Sequence, residues 1–354
     1  MSENATVNER KDISDVVIST RIRFARNLRD YPFPCRLSED SKRRVAATVR
    51  NAALGGSHAI SGRFRYIQMS ELTQEEAVSL VERHLVSPEF ISDRQGRGLL
   101  LLDDESVSIM INEEDHIRIQ VIRPNMDLDG AYDLADKIDT LFDEQLNFAF
   151  NDKLGYLTQC PTNIGTGMRA SLMLHLPALK ESGAMGKISA SLSKLGLVIR
   201  GMYGEGTDPK GAVYQLSNQV TLGISEKEAL NNLRDIAMQL ITQERAARKA
   251  ISENITVLDT VYRAFGTLKY AKLLSNDECM KLLSYLRFGV EMGIFENIDF
   301  DTINHLMIEV QPATLMKNVG KKLSPQERDC IRAEVVRTAL LRKQVPANRR
   351  LGGE

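Results

Sequence analysis

The sequence predicts an α+β protein, an antiparallel β-sheet flanked by helices and followed by a small all-α domain. Three observations carry this. Residues 15–25, DVVISTRIRFA, alternate as a strand does. The runs LLLL at 99–102, VSIMIN at 107–112 and IRIQVI at 117–122 are separated by short polar turns, as in an antiparallel meander. From residue 254 onward only helical periodicity remains.

In the first strand Val16, Ile18, Thr20, Ile22 and Phe24 share one side and Arg21 and Arg23 the other, which gives the strand a basic face. Residues 73–85 read as a helix opened by a capping box, Thr73 with Glu76, and ending near His84 before Ser87-Pro88. An acidic turn, EEDH, joins the last two strands of the meander. The stripe Ala131, Leu134, Ala135, Ile138, Leu141 and Phe142 places a helix over 130–146, packed on that sheet. The stretch CPTNIGTGMR at 160–169 is a loop whose glycines let backbone donors approach a ligand, and residues 171–176 continue it as a helix up to Pro177, with an anion favoured at the helix start.

A further helix covers 188–195, then a strand over 195–202 (LGLVIRGM), a mobile glycine-rich loop (GEGTDPKG) and a strand over 212–218 (AVYQLSN). Ser225 with Glu228 caps a long helix through about Ile251, whose charged face QERAARK is expected to meet water. Helical patterns follow in VLDTVYRAFGTL, SNDECMKLLSYLRFGVEMGI, DFDTINHLMIEV and SPQERDCIRAEVVRTALLRK. The expected divisions are a flexible N-terminus at 1–14, a catalytic domain at 15–253, a helical domain at 254–343 and a flexible tail at 344–354.

A chain of 354 residues suits two domains, and 43% hydrophobic with 26% charged residues is an ordinary globular composition. Forty-six basic residues against 47 acidic ones leave a net charge of -1, which lacks the broad positive field of a nucleic-acid binder. Any anion site must be local. No signal-like or membrane-spanning apolar run is present, so the expected location is cytoplasmic, with no membrane or nucleic-acid partner. Cys35, Cys160, Cys279 and Cys330 form no CxxC pair, which argues against a zinc site or a disulfide framework.

Five arginines, Arg21, Arg23, Arg118, Arg169 and Arg200, sit at strand ends or beside glycines. Taken singly, each is ordinarily surface charge on a buried stem. Together they match a polyphosphate, whose oxygens planar guanidinium forks hold bidentately. No GxxxxGK[ST] is present, so arginines would replace the lysine loop of a P-loop enzyme. Glu113, Glu114 and Asp115 crowd one turn, and Glu205 follows Arg200 by five residues. Acidic turns are ordinarily solvated. With a cationic guanidinium as acceptor, two carboxylates instead clamp it, align one nitrogen and receive its proton. Cys160 reads either as a small buried hydrophobe or as a thiolate whose pKa the arginines lower, in electrostatic contact with the acceptor, with nucleophilic catalysis as the less favoured alternative. The histidines show no metal spacing, and magnesium would come with the nucleotide.

STRIR, NEEDHIR, CPTNIGTGMR and RGMYGEG, in that order, make residues 15–251 resemble the guanidino (phosphagen) kinase family. The resemblance implies that ATP phosphates are bound by Arg21, Arg23, Arg118, Arg169 and Arg200, that Glu114 and Glu205 clamp the guanidino group, with Glu114 as base and Glu205 aligning the acceptor, and that Cys160 lies beside it. His84 becomes an adenine-side contact. Ser19, Thr20 and Ile22, then Ala170, Ser171, Leu172 and Met173, then Gly201, Met202, Tyr203 and Gly204 complete the nucleotide pocket, with Mg2+ accompanying ATP.

Creatine and arginine kinases carry a helical domain before their first arginine pair, whereas here that pair begins at Arg21 and the chain continues past the long helix. That pattern is similar to McsB-type bacterial protein-arginine kinases. In SPQERDCIRA, Ser324, Pro325 and Glu327 form a capped helix start, with Arg328 and Arg332 four apart and Asp329 able to pair with Arg332. RDCIRA, which is Arg328, Asp329, Cys330, Ile331, Arg332 and Ala333, matches that subfamily's phosphoarginine-binding motif and implies allosteric activation by phosphoarginine, across a homodimer or higher oligomer. The resemblance further implies protein substrates with exposed arginines, including a heat-shock transcriptional repressor, an AAA+ unfoldase-protease that receives the marked proteins, and a small zinc-binding activator, all in bacterial stress response and protein quality control. The alternatives are a kinase for free guanidino compounds and a non-catalytic phosphoarginine-binding adaptor.

Overall fold

The computed structural model describes residues 13–55, 61–201 and 210–344. Among the described residues eight strands form one antiparallel sheet in the order β2-β3-β4-β5-β1-β8-β10-β9, from β1 (Val17–Arg26), β2 (Phe64–Gln68), β3 (Gly98–Leu102), β4 (Val107–Ile111), β5 (Ile117–Pro124), β8 (Met168–His175), β9 (Leu197–Gly201) and β10 (Val213–Asn218). A separate two-stranded piece, β6 (Phe150–Asn151) with β7 (Gly155–Tyr156), lies outside it. The meander of β3, β4 and β5 and the two-residue period of β1 are as the sequence predicts.

One face of the sheet carries the main core. Ile22 and Phe24 of β1, Ile117, Ile119 and Val121 of β5, and Ala170, Leu172 and Leu174 of β8 all point into it. Helices α1 (Glu39–Leu54), α4 (Leu128–Asp143) and α7 (Glu226–Ile251) cover that face with Val45, Val49, Ala131, Ile138, Leu233 and Ala237. The opposite face is covered at its two ends. At one, α2 (Gln74–Glu82) and α3 (Pro88–Ser92) pack Leu80 and Phe90 on Leu99, Leu101 and Met110. At the other, the C-terminal helices pack around Val213, with Ile18 and Met173 against them. Between these covers the sheet presents its arginines.

The short α5 (Pro177–Glu181) and α6 (Met185–Lys194) lead from β8 to β9. The C-terminal region comprises α8 (Ile255–Tyr270), α9 (Asn276–Glu291), α10 (Phe300–Glu309), α11 (Pro312–Val319) and α12 (Pro325–Gln344). Capping boxes form at Thr73 with Glu76 and at Ser225 with Glu228. At Ser324 and Glu327 the same reciprocal bonds are made, 2.8 and 3.3 Å long. Among the described residues no helix is long and apolar enough to cross a membrane.

Several expectations are corrected. Residues 171–175 are not a helix but part of β8, a central strand hydrogen-bonded to β1 and β10, and Leu176 is the N-cap of α5. Its two faces both meet apolar neighbours, so the alternation that marks a half-buried strand is blurred. No helix start therefore follows the glycine loop. Ile18 does not share the side of Ile22 and Phe24: a register shift between Val17 and Ser19 turns Ile18 toward the C-terminal helices, while Val16 and Val17 both enter the main core.

The QERAARK face of α7 is not wholly in water. Glu244 and Arg248 are buried, and Glu244 accepts the backbone N–H groups of Ala178 and Leu179 at 3.0 and 2.9 Å, which caps α5. Ile13, within the expected N-terminal segment, joins the main core, and Arg287 donates to the carbonyls of Ser14 and Asp15. Residues 1–12 and 345–354 lie outside the described residues. Helices α1, α3, α5 and α11 and strands β2, β6 and β7 are not among the elements that the sequence pattern predicts.

Candidate active site

Alternation along the strands decides which of the expected residues face the open side of the sheet. Arg21 and Arg23 of β1, Arg118 of β5 and Arg169, Ser171 and Met173 of β8 face it, in register: Arg23 stands opposite both Gln120 and Arg169. Thr20, Ile22, Ala170 and Leu172 point the other way and are fully buried. Thr20 accepts the Asp127 N–H at 2.9 Å and donates to the Asn125 carbonyl at 2.7 Å. The side chains of these four expected pocket residues support the strands and face away from the open side of the sheet.

Arg23, Arg118, Arg169 and Arg200 converge on one cavity of about 330 Å3, which Glu114 and Cys160 also line. Arg21 opens instead into a neighbouring cavity of about 420 Å3 with Ser19, His84, Ser171 and Met173. Two residues along a strand span about 6.6 Å, so Arg21 and Arg23 make these cavities one trough. Burial and neighbouring guanidiniums act together on the cations. Arg21 is brought down to about 10 by burial and by Arg118; Arg23 is held well below its ordinary value by burial, then by Arg21, Arg118 and Arg169; Arg169 is lowered by burial and by Arg200 and Arg118. Among the described residues the Nε atoms of Arg23 and Arg169 are buried without a hydrogen-bond partner. Clustered, desolvated, like-charged donors of this kind are relieved by a polyanion.

The acidic turn is a built structure, not a solvated one. Asn112 takes a positive φ of 61°, and its amide donates to the carbonyls of Lys42 and Gly96, 2.8 Å each. Asp115 is fully buried. One of its oxygens accepts Asn27 Nδ2 at 2.6 Å and the Gln159 N–H at 2.8 Å. His116 accepts the Leu28 N–H on Nδ1 and donates from Nε2 to the Pro32 carbonyl, both 3.0 Å, and burial brings it down to about 4, so it stays neutral. Glu113 is spoken for by Ser87 Oγ at 2.7 Å, Arg118 Nη1 at 2.8 Å and the Glu114 N–H at 2.8 Å. Glu114 is left as the carboxylate turned to the cavity, its side chain 36% exposed and 3.0 Å from Arg118 Nη2. Burial raises its pKa, with Arg118 opposing, which suits a general base.

Cys160 Sγ lies 3.0 Å from Thr162 Oγ1 at the edge of the same cavity. The glycines of its loop are demanded by packing: Gly165 and Gly167 have φ of 112° and 62°, and a Cβ at 165 would stand 2.1 Å from the Thr221 carbonyl oxygen; Gly167 also lines the cavity. His84, with φ 61°, lines the second cavity, and burial and Arg21 bring it down to about 4.

Gly201 ends β9 beside Arg200, whereas residues 202–205, with Met202, Tyr203, Gly204 and Glu205, lie outside the described residues. Site residues not anticipated in the sequence include Gln215, which accepts Arg21 Nη2 at 2.5 Å, and Asn163, which accepts Arg169 Nη2 at 3.3 Å.

In the C-terminal motif Arg332 is only 1% exposed. It donates to the carbonyls of Val310 and Leu274 at 2.9 and 2.7 Å, and pairs with Asp329 at 2.6 Å. The two arginines therefore do not stand as an open pair: Arg328 is half-buried, Cys330 is exposed, Ile331 is half-buried and Ala333 is in the core.

Residues 44–247 match the family model of the ATP:guanido phosphotransferase C-terminal catalytic domain, and residues 254–350 that of the protein-arginine kinase McsB C-terminal domain. Arg21 and Arg23 precede the first match. The chain is 47% identical over 332 residues to the protein-arginine kinase of Caldanaerobacter subterraneus subsp. tengcongensis, covering 93% of this chain and 98% of that one. It is 46% identical over 328 residues to that of Halothermothrix orenii, covering 92% and 93%. Among solved structures it is similar to a lombricine kinase, with a TM-score of 0.60 and 27% identity over 67% of this chain and 68% of the other. The duplicated taurocyamine kinase of Schistosoma mansoni with bound transition state analog components gives 0.58 and 25% over 69% and 34%. With the converging arginines and the open carboxylate of Glu114 already in place, these matches show that the chain belongs to the protein-arginine kinases of the ATP:guanido phosphotransferase family.

Proposed function

We propose that this protein transfers the γ-phosphoryl group of MgATP to a guanidinium nitrogen of arginine side chains in proteins. The observation that carries it is the convergence of Arg23, Arg118, Arg169 and Arg200 on a cavity that the half-exposed carboxylate of Glu114 also lines, beside Arg118. Arginines hold the triphosphate and neutralise charge as the bond from the γ-phosphorus to the bridging oxygen breaks and ADP leaves. Glu114 receives the proton lost by the attacking nitrogen as the P–N bond forms. Glu205 is assigned the alignment of the acceptor by resemblance. Cys160, at the cavity edge, contacts the acceptor without forming a bond to phosphorus. Among the described residues no group of three His, Cys, Asp or Glu side chains could hold a metal ion; magnesium belongs to the substrate.

The test is incubation with MgATP and an arginine-rich protein, followed by detection of acid-labile phosphoarginine. Absence of that product with an authentic substrate overturns the proposal. Free arginine and creatine, offered in competition, separate it from a kinase for small guanidino compounds.

The relation to bacterial protein-arginine kinases supports a wider role: a cytoplasmic homodimer or higher oligomer acting in stress response and protein quality control, marking proteins for an AAA+ unfoldase-protease, inactivating a heat-shock repressor and answering to a small zinc-binding activator. RDCIRA supports allosteric phosphoarginine binding outside the kinase site. In that reading Arg328 and Asp329 offer the outward contacts and Arg332 holds their frame.

A further inference from the structure

The second cavity, beside Arg21, is not built by the catalytic sheet alone. Its floor is Ile18, Met173 and Val213, and its far wall is one face of α10. Asp301, Asn304, His305 and Ile308 recur at the i, i+3, i+4, i+7 spacing of a single helical stripe and all line it. The adjacent stripe, Ile303, Leu306, Met307 and Val310, is buried in the C-terminal core, and that core includes Val213 of β10, with Ile18 and Met173 packed on it. Floor and wall are thus parts of one apolar cluster.

The wall is also pinned to the rim. Glu82, at the end of α2, accepts the N–H groups of Ala313 and Thr314 at 3.0 and 2.7 Å and the Thr314 hydroxyl at 2.9 Å. It caps α11 from outside the C-terminal region. The residues that follow it, Arg83 and His84, line the cavity. Asn304 Oδ1 accepts Arg287 Nε at 3.2 Å, which fixes its amide orientation and leaves its N–H2 as the donor for a ligand.

We propose that α10 is a nucleoside-reading wall: the base and sugar of the nucleotide sit between the sheet floor and this C-terminal helix, with Asn304, His305 and Ile308 setting affinity for the nucleoside while the arginines set it for the phosphates. The proposal rests on the kinase reading, since Arg21 joins this cavity to the phosphate end. A slot with apolar faces and a few convergent polar groups fits a planar heterocycle. It makes the C-terminal region part of the substrate site and not only a place of attachment.

The experiment titrates ADP and inorganic tripolyphosphate into the full chain by calorimetry, for the native protein and for His305→Ala, Ile308→Ser and Arg23→Ala. The two α10 variants are expected to weaken ADP roughly tenfold and to leave tripolyphosphate within twofold, whereas Arg23→Ala weakens both ligands. Equal ADP affinity in the α10 variants overturns the proposal and leaves the kinase reading standing. A native protein that binds neither ligand overturns the kinase reading as well. Hydrogen exchange of the native chain is independent of any variant's folding: ADP should slow exchange over residues 300–309 and tripolyphosphate should not. The same response to both ligands overturns the wall.

Discussion

Asp115 accepts the backbone N–H of Gln159 at 2.8 Å, and that bond joins the turn carrying Glu114 to the loop carrying Cys160. The same oxygen holds Asn27 at 2.6 Å, beside the end of β1. Asp115→Ala leaves two buried donors without this acceptor, a loss of about 2–4 kcal/mol. The expected outcome is a lower melting temperature and a fall in kcat larger than any change in ATP affinity. Thermal melts with parallel ADP titration check it; a variant that melts as the native protein and turns over normally removes Asp115 from the positioning role.

Glu114→Gln removes the open carboxylate and keeps its shape. Turnover should fall by about 10²–10⁴ with nucleotide affinity preserved. Because burial raises the Glu114 pKa, the active, deprotonated form is lost at a higher pH than for an exposed glutamate. The acidic limb of kcat against pH should lie above the ordinary glutamate value and vanish from the residual rate of the variant. A limb that persists unchanged belongs to another group.

Strands whose two faces differ are the ones the sequence makes readable. Arg21 and Arg23 against Ile22 and Phe24 announce β1 and its basic face, and Thr73 and Ser225 announce their helices by capping. β8 hides because Ala170, Leu172 and Leu174 meet one core while Met173 meets another, so its alternation is lost. α1 hides because its buried stripe is largely alanine, with Ala46, Ala52 and Ala53 beside Val45 and Val49. The α10 face is invisible for a different reason: its role depends on a floor contributed by residues some 90 to 290 positions earlier, as Val213 and Ile18 against Ile308 show. Local pattern cannot report such pairings.

The buried charges around Glu291 give a pH signature in stability. Asp15 pairs with Arg245 and Arg248, both at 2.8 Å, and Arg248 lies 3.4 Å from Glu291. Glu291 also meets Arg287 and, at 2.8 Å, His175 Nδ1. Burial pushes Glu291 up to about 7, against the pull of Arg287 and Arg248. The folded protein then holds a proton that the unfolded chain releases near the ordinary glutamate value, so this contribution is full below that value and is lost as pH rises through about 7. His175 is driven the other way by burial and Arg287, and its contribution is lost as pH falls below the ordinary histidine value. Between the ordinary glutamate value and about 7 the two slopes oppose one another, so the melting temperature should be nearly level across that window. Glu291→Gln removes the falling slope and should leave a melting temperature that rises with pH there; an unaltered profile assigns the effect elsewhere.

Arg328 and Arg332 should separate cleanly, because burial gives them different work. Arg332 ties the carbonyl of Val310, which ends α10, to that of Leu274, which precedes the cap of α9, and its charge is met by Asp329. Arg332→Ala strips two buried carbonyls and one partly buried carboxylate of their donor, a cost of about 3 kcal/mol. The C-terminal helices should melt early, and any loss of phosphoarginine binding in that variant reports a damaged frame. Arg328 is half-buried. Its removal should change stability by less than about 0.5 kcal/mol while abolishing binding of phosphoarginine, measured by calorimetry on the full chain beside a thermal melt. If Arg332→Ala melts like the native protein yet fails to bind, the buried guanidinium is itself a ligand and the division of labour drawn from its hydrogen bonds is wrong. If Arg328→Ala binds as well as the native protein, the outward half of the motif is surface charge and RDCIRA is a structural lock.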